Sequence, residues 1–233
     1  LRFTNSTSFD RTDPVFGQDI SFFVFTLPGY SFLQGWLLAL GIVLVVGSLV
    51  LSFANYSLRG IPFSFSPALR IQLSVVVAFI LFAAAWGHWI DRWELVLSDH
   101  GAVFGAAYTD LHARKPALLI LTIIALSGGL FALINAYLKG LRLLVGAVGL
   151  WLIGSVILSV GFPSLIQNFS VNPNEFVREQ PYIQRNIDYT RYGFDLEKIS
   201  ETFYQADPSI SSEQVHDNMQ TVNNIRLWDH RPL

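Results

Sequence analysis

Four long apolar segments alternate with polar connections along most of the chain. The segments cover residues 32–54, 71–90, 116–138 and 143–162, and none contains Asp, Glu, Lys or Arg. Because a helix rises about 1.5 Å per residue, about 20 residues cross the roughly 30 Å hydrocarbon core of a bilayer. A charged residue at the bilayer centre costs at least about 2.5 kcal/mol. The pattern therefore predicts an all-α membrane protein with four transmembrane helices.

Polar segments flank this four-span region, which we place at residues 32–169. Residues 1–31 are predicted to form an extracytoplasmic and interfacial approach, because aromatic side chains crowd around Pro28 and favour the headgroup level. The alternating side chains of residues 22–27 leave a buried strand as the alternative.

Residues 170–233 are predicted to begin a polar, helix-rich extracytoplasmic region. Of the 32 Asp, Glu, Lys and Arg side chains, 16 follow Ser170. The fourth span is expected to end at Phe162, before Pro163. Helix starts are then predicted at the residues that suit a cap or a first turn, namely Asn172, Pro181 and either Ser211 or Ser212.

The composition indicates that much of the chain lies in a lipid bilayer rather than in water. Hydrophobic residues form 52% of the chain and charged residues 14%, whereas average soluble domains carry about 25% charged residues. The net charge of −2 leaves no basic stripe for nucleic acid. The absence of cysteine excludes disulfides, thiolate metal sites and cysteine nucleophiles from these residues.

The charges of the connections predict an orientation. Residues 55–70 and 139–142 carry only basic charges, whereas the connection 91–115 has more acids than bases. Because Lys and Arg favour the cytoplasmic side, both chain ends and the outer loop 91–115 are expected to be extracytoplasmic.

The outer loop carries most of the side chains that could do chemistry within the span region. A structural or functional cluster is predicted there, formed by Asp91, Arg92, Glu94, Tyr108, Asp110 and Arg114. The weak candidates for a metal site are His88, His100 and His112, but no HExxH spacing accompanies them. No catalytic residue is predicted, and the sequence leaves the cofactor unknown. A second polar surface follows the fourth span, formed by Glu175, Glu179, Tyr182, Arg185 and Arg191. Two interpretations are equally good: these side chains meet the outer loop, or they form a charged helix face in water.

Small residues recur within the spans and would permit close helix packing. They include Gly128 with Gly129, and Gly146 with Gly149. An equally good interpretation is that glycine is simply common in membrane helices.

Four motifs occur in a characteristic order. They are DPVFGQDISFFVFTLP before the first span, HWIDRWELVLSDHGAVFGAAYTDLHARKPAL between spans, VNPNEFVREQPYIQRNIDYTR after the fourth span, and the closing NNIRLWDHRPL. With these motifs the chain resembles uncharacterised protein family 0182. The resemblance implies an internal fragment of a large bacterial multi-pass membrane protein, with further spans before it and a large extracytoplasmic region after it. It implies no activity.

Three functions are compatible with this pattern. The favoured hypothesis is a structural or assembly anchor that holds a large extracytoplasmic region, and membrane or extracytoplasmic protein partners, at the lipid bilayer. The alternative is a transporter or channel with an outer vestibule at residues 91–115, where Gly101 and Gly105 allow tight turns. A metal-dependent membrane enzyme is the least favoured.

Overall fold

A computed structural model of the chain describes residues 3, 6–138, 140–200, 202–203 and 210–224. The chain divides into two compact units, Leu1–Thr190 and Arg191–Leu233. Lys139, which contributes to the predicted orientation, and residues 225–233 of the closing motif lie outside the described residues.

Four long helices dominate the chain and confirm the prediction of four apolar helices. They cover Phe22–Leu58, Pro67–Leu97, Asp110–Asn135 and Arg142–Gly193, and each is long and apolar enough to cross a membrane. Their α-helical parts are α1 (Leu27–Leu58), α2 (Pro67–Glu94), α3 (Lys115–Asn135), α4 (Arg142–Val156), α5 (Phe162–Ile166) and α6 (Glu175–Gly193). The strand alternative for residues 22–27 is wrong, because Phe22–Thr26 is a π-helical turn.

Helix α2 lies at the centre of the bundle. Helices α1 and α3 both pack against it, and α4 packs against α3. The core consists of small and branched side chains from α2, α3 and α4, namely Leu69, Leu73, Ala78, Leu81, Ala132, Leu144 and Ala147. Apolar side chains on the outer faces of α1 and α4 remain exposed, as lipid-facing residues do.

A polar contact joins α2 to α3 inside this core. Asn135 Nδ2 donates to Ser74 Oγ at 2.9 Å, and both side chains are buried. In the bilayer such a bond has no water to compete with it, although measured interhelical bonds average only about 0.6 kcal/mol.

A double-mutant cycle with Asn135→Ala and Ser74→Ala measures this bond. We expect a coupling energy of about 0.6 kcal/mol, and no more than about 1.7 kcal/mol, in unfolding experiments in mixed micelles. Strictly additive effects would show that the bond contributes nothing. The control is a second cycle, in which Asn135→Ala is combined with Ser127→Ala. Ser127 has an exposed hydroxyl that bonds its own helix backbone.

The connection between the second and third helices is shorter than the predicted loop 91–115. Helix α2 reaches Glu94 and continues as a 3₁₀ turn, Leu95–Leu97, and helical structure resumes at Tyr108. The irregular connection is therefore residues 98–107. We call the end of the bundle that carries this connection the loop end.

The fourth helix does not end at Phe162. A π-helical turn, Ile157–Gly161, lies before that residue, and the helix continues beyond it through a second π turn, Gln167–Val171. Its 52 residues would extend for about 78 Å. The first π turn directly precedes α5, which holds Pro163 in its first turn, and local π adjustments satisfy the backbone groups that proline frees.

The predicted helix starts at Asn172 and Pro181 are also wrong. The Asn172 side chain bonds Gln167 and Asn168 on the preceding turn and caps nothing. Pro181 lies inside α6, between the buried side chains of Glu179 and Tyr182. Tertiary contacts of α6 therefore override the local signals.

The second unit contains the short α-helices α7 (Ser212–Asp217) and α8 (Met219–Asn224). The predicted cap is confirmed at Ser211, whose hydroxyl accepts from the backbone N–H of Gln214. The Gln214 side chain accepts in turn from the Ser211 N–H and completes a capping box.

Candidate functional site

The first turn of the third helix is the polar centre of the loop end. The first N–H groups of a helix have no partner within the helix, and they attract carboxylates. Here Asp110 Oδ2 accepts from the Ala107 N–H at 3.1 Å, and Asp110 Oδ1 accepts from Arg114 Nη1 at 3.0 Å. Only 1% of Asp110 is exposed. The ion pair satisfies a carboxylate that would be costly to bury alone.

A second carboxylate reaches the same helix end from α6. Both oxygens of Glu179 accept from the Tyr108 N–H at 3.3 Å, and the residue is 2% exposed. Burial raises the pKa of Glu179 above its ordinary value, and the nearby charges of Asp110 and Glu175 raise it further, while the Tyr108 N–H lowers it. Two carboxylates thus share the N–H groups of one helix end.

Tyr108 is enclosed by side chains from its own helix and from α6. Its ring stacks on His112 with centroids 4.1 Å apart and meets Tyr182 edge-on at 6.4 Å. Arg178 donates to the Tyr108 hydroxyl at 2.9 Å and lies over the ring. The tyrosine therefore links the third helix to α6 by its backbone, its ring and its hydroxyl.

One face of α6 lies along the loop end. Beyond Glu179 and Tyr182, Asn186 Nδ2 donates to the backbone oxygen of Phe104 at 2.8 Å. The Tyr189 hydroxyl donates to the backbone oxygen of Thr12 at 2.8 Å. Residues spaced three and four apart share a helix face, so these four side chains form a continuous stripe.

The segment before the first helix is folded by two aspartates. Asp13 is buried and accepts from the N–H groups of Val15 and Phe16. Hydrogen bonds from Ser21 and Ser8 hold the pKa of Asp19 well below its ordinary value. These bonds order the segment that α6 contacts at Thr12.

The predicted cluster divides into two groups. Tyr108, Asp110 and Arg114 lie together at the start of the third helix. The other three lie on the last turns of α2 and have separate partners: Asp91 pairs with His88 at 3.5 Å, Arg92 lies over the Trp89 ring, and Glu94 accepts from Ser31. No hydrogen bond or ion pair among the described residues joins the two groups. The structure therefore does not bring the six side chains together as one cluster.

The three histidines have separate surroundings. His88 accepts from the Trp151 indole N–H at 3.2 Å, His100 lies beside Asp99, and His112 stacks on Tyr108. Among the residues that the structure describes, no three His, Asp or Glu side chains are grouped to hold a metal ion.

The predicted contact between the outer loop and the chain after the fourth span is confirmed for Glu179 and Tyr182. Glu175 is exposed, Arg185 lies over the Tyr182 ring, and Arg191 belongs to the second unit. Sequence reasoning missed Asn186 and Tyr189. Their spacing of four and seven from Tyr182 is the signal that would have found them.

Clefts of different character lie at the loop end. An apolar cleft of about 290 Å³ lies between the first segment, the end of the second helix, the connection and α6, with Arg185 and Asn186 among its lining residues. A polar cleft of about 480 Å³ lies between the start of the third helix and the two π turns of the fourth.

Comparison with known proteins gives a family and no activity. The model of the uncharacterised protein family UPF0182 matches residues 1–233. A UPF0182 protein of Pelotomaculum thermopropionicum is 37% identical, covering 100% of this chain and 26% of that protein. Those of Moorella thermoacetica and Cupriavidus necator are each 35% identical, covering 99% and 100% of this chain and 26% of each protein.

The chain thus spans about a quarter of the length of these curated relatives. No solved structure matches it significantly. The family match over the whole chain agrees with the order of the four motifs. The chain belongs to the uncharacterised protein family UPF0182.

Proposed function

We propose that this part of the protein is a membrane anchor that fixes where the following polar region begins. The observation that carries the proposal is the stripe on α6, formed by Glu179, Tyr182, Asn186 and Tyr189. It holds the emerging helix against the third helix, the connection and the first segment. A simple tether would need none of these contacts.

The continuity of the fourth helix supports the same function. It runs from the apolar part of the bundle into α6 without an intervening loop. A helix clamped on one side transmits its position to the chain that follows. A flexible linker would lose that information over a few residues.

We propose that the loop end faces the extracytoplasmic side. The proposal rests on the basic connections at the opposite end, where Arg59 and Arg142 lie. It makes the region after Thr190 extracytoplasmic and the protein a multi-pass protein of the cell membrane. Protein partners would then meet this region outside the membrane.

Spin labels test the clamp. In the full-length protein with any native cysteine replaced, labels are placed at Asp99 and Ile187, which are both exposed and belong to the first unit. Pulsed electron paramagnetic resonance is expected to give one narrow distance distribution. Glu179→Ala combined with Asn186→Ala is expected to broaden it, because the hydrogen bonds to Tyr108 and Phe104 are lost.

Glu175→Ala is the matched control, because Glu175 is an exposed acid on the same helix. It is expected to leave the distribution narrow. A broad distribution in the unmodified protein would contradict the proposal.

The transporter alternative has less support in these residues. The connection 98–107 is pinned at both ends, since the Gly105 N–H donates to Ser98 and Phe104 accepts from Asn186. The four apolar segments carry no charged side chain to mark an ion pathway. Flux through reconstituted full-length protein that disappears in Gly105→Trp would favour transport instead.

A further inference from the structure

The polar cleft lies where the third and fourth helices pass from apolar to polar sequence. Its polar lining combines side chains from both helices and from the connection, namely His100, Thr109, Asp110, Arg114, Ser159, Ser164, Gln167 and Asn168. Val160 and Pro163 complete the side formed by the fourth helix.

Most of the side-chain groups in the cleft that remain without a hydrogen-bond partner in the described part of the protein are donors. The acceptors of Asp110 bind Ala107 and Arg114, and the Thr109 hydroxyl donates to Gln167 Oε1. Arg114 has five N–H donors, of which one is engaged within the described residues. In the same part of the chain, the hydroxyls of Ser159 and Ser164 and the amide group of Asn168 donate to no protein acceptor.

These donors lie on one side of the fourth helix, since Ser159, Ser164 and Asn168 all line the cleft. Ser159 lies in the turn Ile157–Gly161, and Asn168 lies in the turn Gln167–Val171. Ser164 lies in α5, between the two turns and five residues after Ser159. Asn168 follows Ser164 by four residues and shares its face.

A negatively charged ligand group with several hydrogen-bond acceptors suits this set of donors. Arginine binds phosphate and carboxylate through two parallel N–H bonds. Asp110 is 1% exposed and holds the guanidinium from the inner side, which fixes its position without occupying its other donors.

The position of the cleft indicates which kind of molecule carries the negatively charged group. Arg114 precedes the apolar segment 116–138 by two residues. Val160 lies near the end of the apolar segment 143–162, and Pro163 follows it directly. In a bilayer this is the level of the headgroups. We propose that the polar cleft binds the phosphate of a phospholipid headgroup, with Arg114 as the charged ligand and Ser159, Ser164 and Asn168 as neutral donors.

Native mass spectrometry of the full-length protein tests this site, and the site does not depend on the anchoring function. The protein is titrated in mild detergent with phosphatidylglycerol and with a phosphate-free diacyl glycolipid. We expect retention of phosphatidylglycerol only. Ser159→Val combined with Asn168→Leu leaves the Arg114–Asp110 pair intact and is expected to weaken retention by about tenfold or more, since hydrogen bonds to charged groups are the strong ones.

Arg114→Gln is expected to weaken retention further, but it also unpairs Asp110, so the double variant decides the question if that protein does not fold. Arg142→Gln is the control, because Arg142 is an exposed arginine at the opposite end of the fourth helix. It is expected to change nothing. Equal losses in Arg142→Gln, or equal retention of the glycolipid, would overturn the proposal. Competition by millimolar inorganic phosphate would do the same, because it would identify a free anion as the ligand.

Discussion

Replacing Glu179 by Ala is expected to destabilise the loop end by about 1–3 kcal/mol, because the Tyr108 N–H then loses its acceptor in a buried position. The substitution also removes a direct link between α6 and the third helix. We expect a lower midpoint of thermal unfolding in detergent and faster amide hydrogen exchange across residues 104–112. Glu175→Ala should stay within about 0.5 kcal/mol of the unmodified protein, as exposed substitutions do. Equal effects of the two substitutions would refute a specific role for Glu179.

The raised pKa of Glu179 gives this prediction a pH dependence. Between the unfolded value of about 4.3 and the raised folded value, the folded chain binds a proton more readily than the unfolded chain. The stability that protonation contributes is therefore complete below about pH 4.3, and it is lost as the pH rises through the folded pKa. Asp110 and Glu175 are the charged groups that oppose ionisation.

The substitution Glu179→Gln separates charge from hydrogen bonding. The amide oxygen still accepts from Tyr108 but does not titrate, so the difference in stability between this variant and the unmodified protein should depend on pH through Glu179 alone. We expect the unmodified protein to gain stability relative to the variant as the pH falls from about 8 toward about 4.3. A difference that stays constant over this range would show that Glu179 does not titrate there.

Replacing Gly129 by Ala is expected to make the bundle about 1–3 kcal/mol less stable than replacing Gly149 by Ala. A Cβ atom on Gly129 would lie 2.5 Å from Cε1 and 2.8 Å from Cδ1 of Phe82, so the ring must move within the packed interface of α2 and α3. A Cβ atom on Gly149 meets no atom of the described residues within 4 Å. There the substitution should be neutral or stabilising by up to about 1 kcal/mol, because alanine favours the helix.

Unfolding of both variants in mixed micelles measures the difference. Phe82→Leu replaces the ring that a Cβ atom at position 129 would contact with a smaller side chain. The double variant should therefore lose less stability than the sum of the losses of the two single variants. Additive costs, or equal stabilities of the two alanine variants, would show that Phe82 does not require glycine at position 129.

Much of the fold follows from local sequence. The segment 71–90 is apolar and uncharged for long enough to cross a bilayer, and α2 contains all of it. The helix boundaries follow less well, since Pro163 and Asn172 carry stop and start signals that the long helix ignores. Local signals are worth about 1–3 kcal/mol each, and packing along a continuous helix exceeds them.

The candidate site follows from the sequence only in part. The Asp110–Arg114 pair has the four-residue spacing of a helical ion pair and is local. The partnership of Glu179 with Tyr108 joins residues 71 positions apart. Glu94 looked equally suited to the cluster, and it instead accepts from Ser31 of α1.

The sequence by itself determined the solvent, the helical class and the number of long apolar helices. These depend on the free energy of transferring continuous stretches of side chains into lipid, which is a sum over neighbouring residues. The tertiary structure alone decided which carboxylates are buried and which glycines lie in an interface. Gly129 and Gly149 have the same local signal, and only the approach of Phe82 distinguishes them. Contacts between distant residues depend on how the helices pack, and no short pattern records that arrangement.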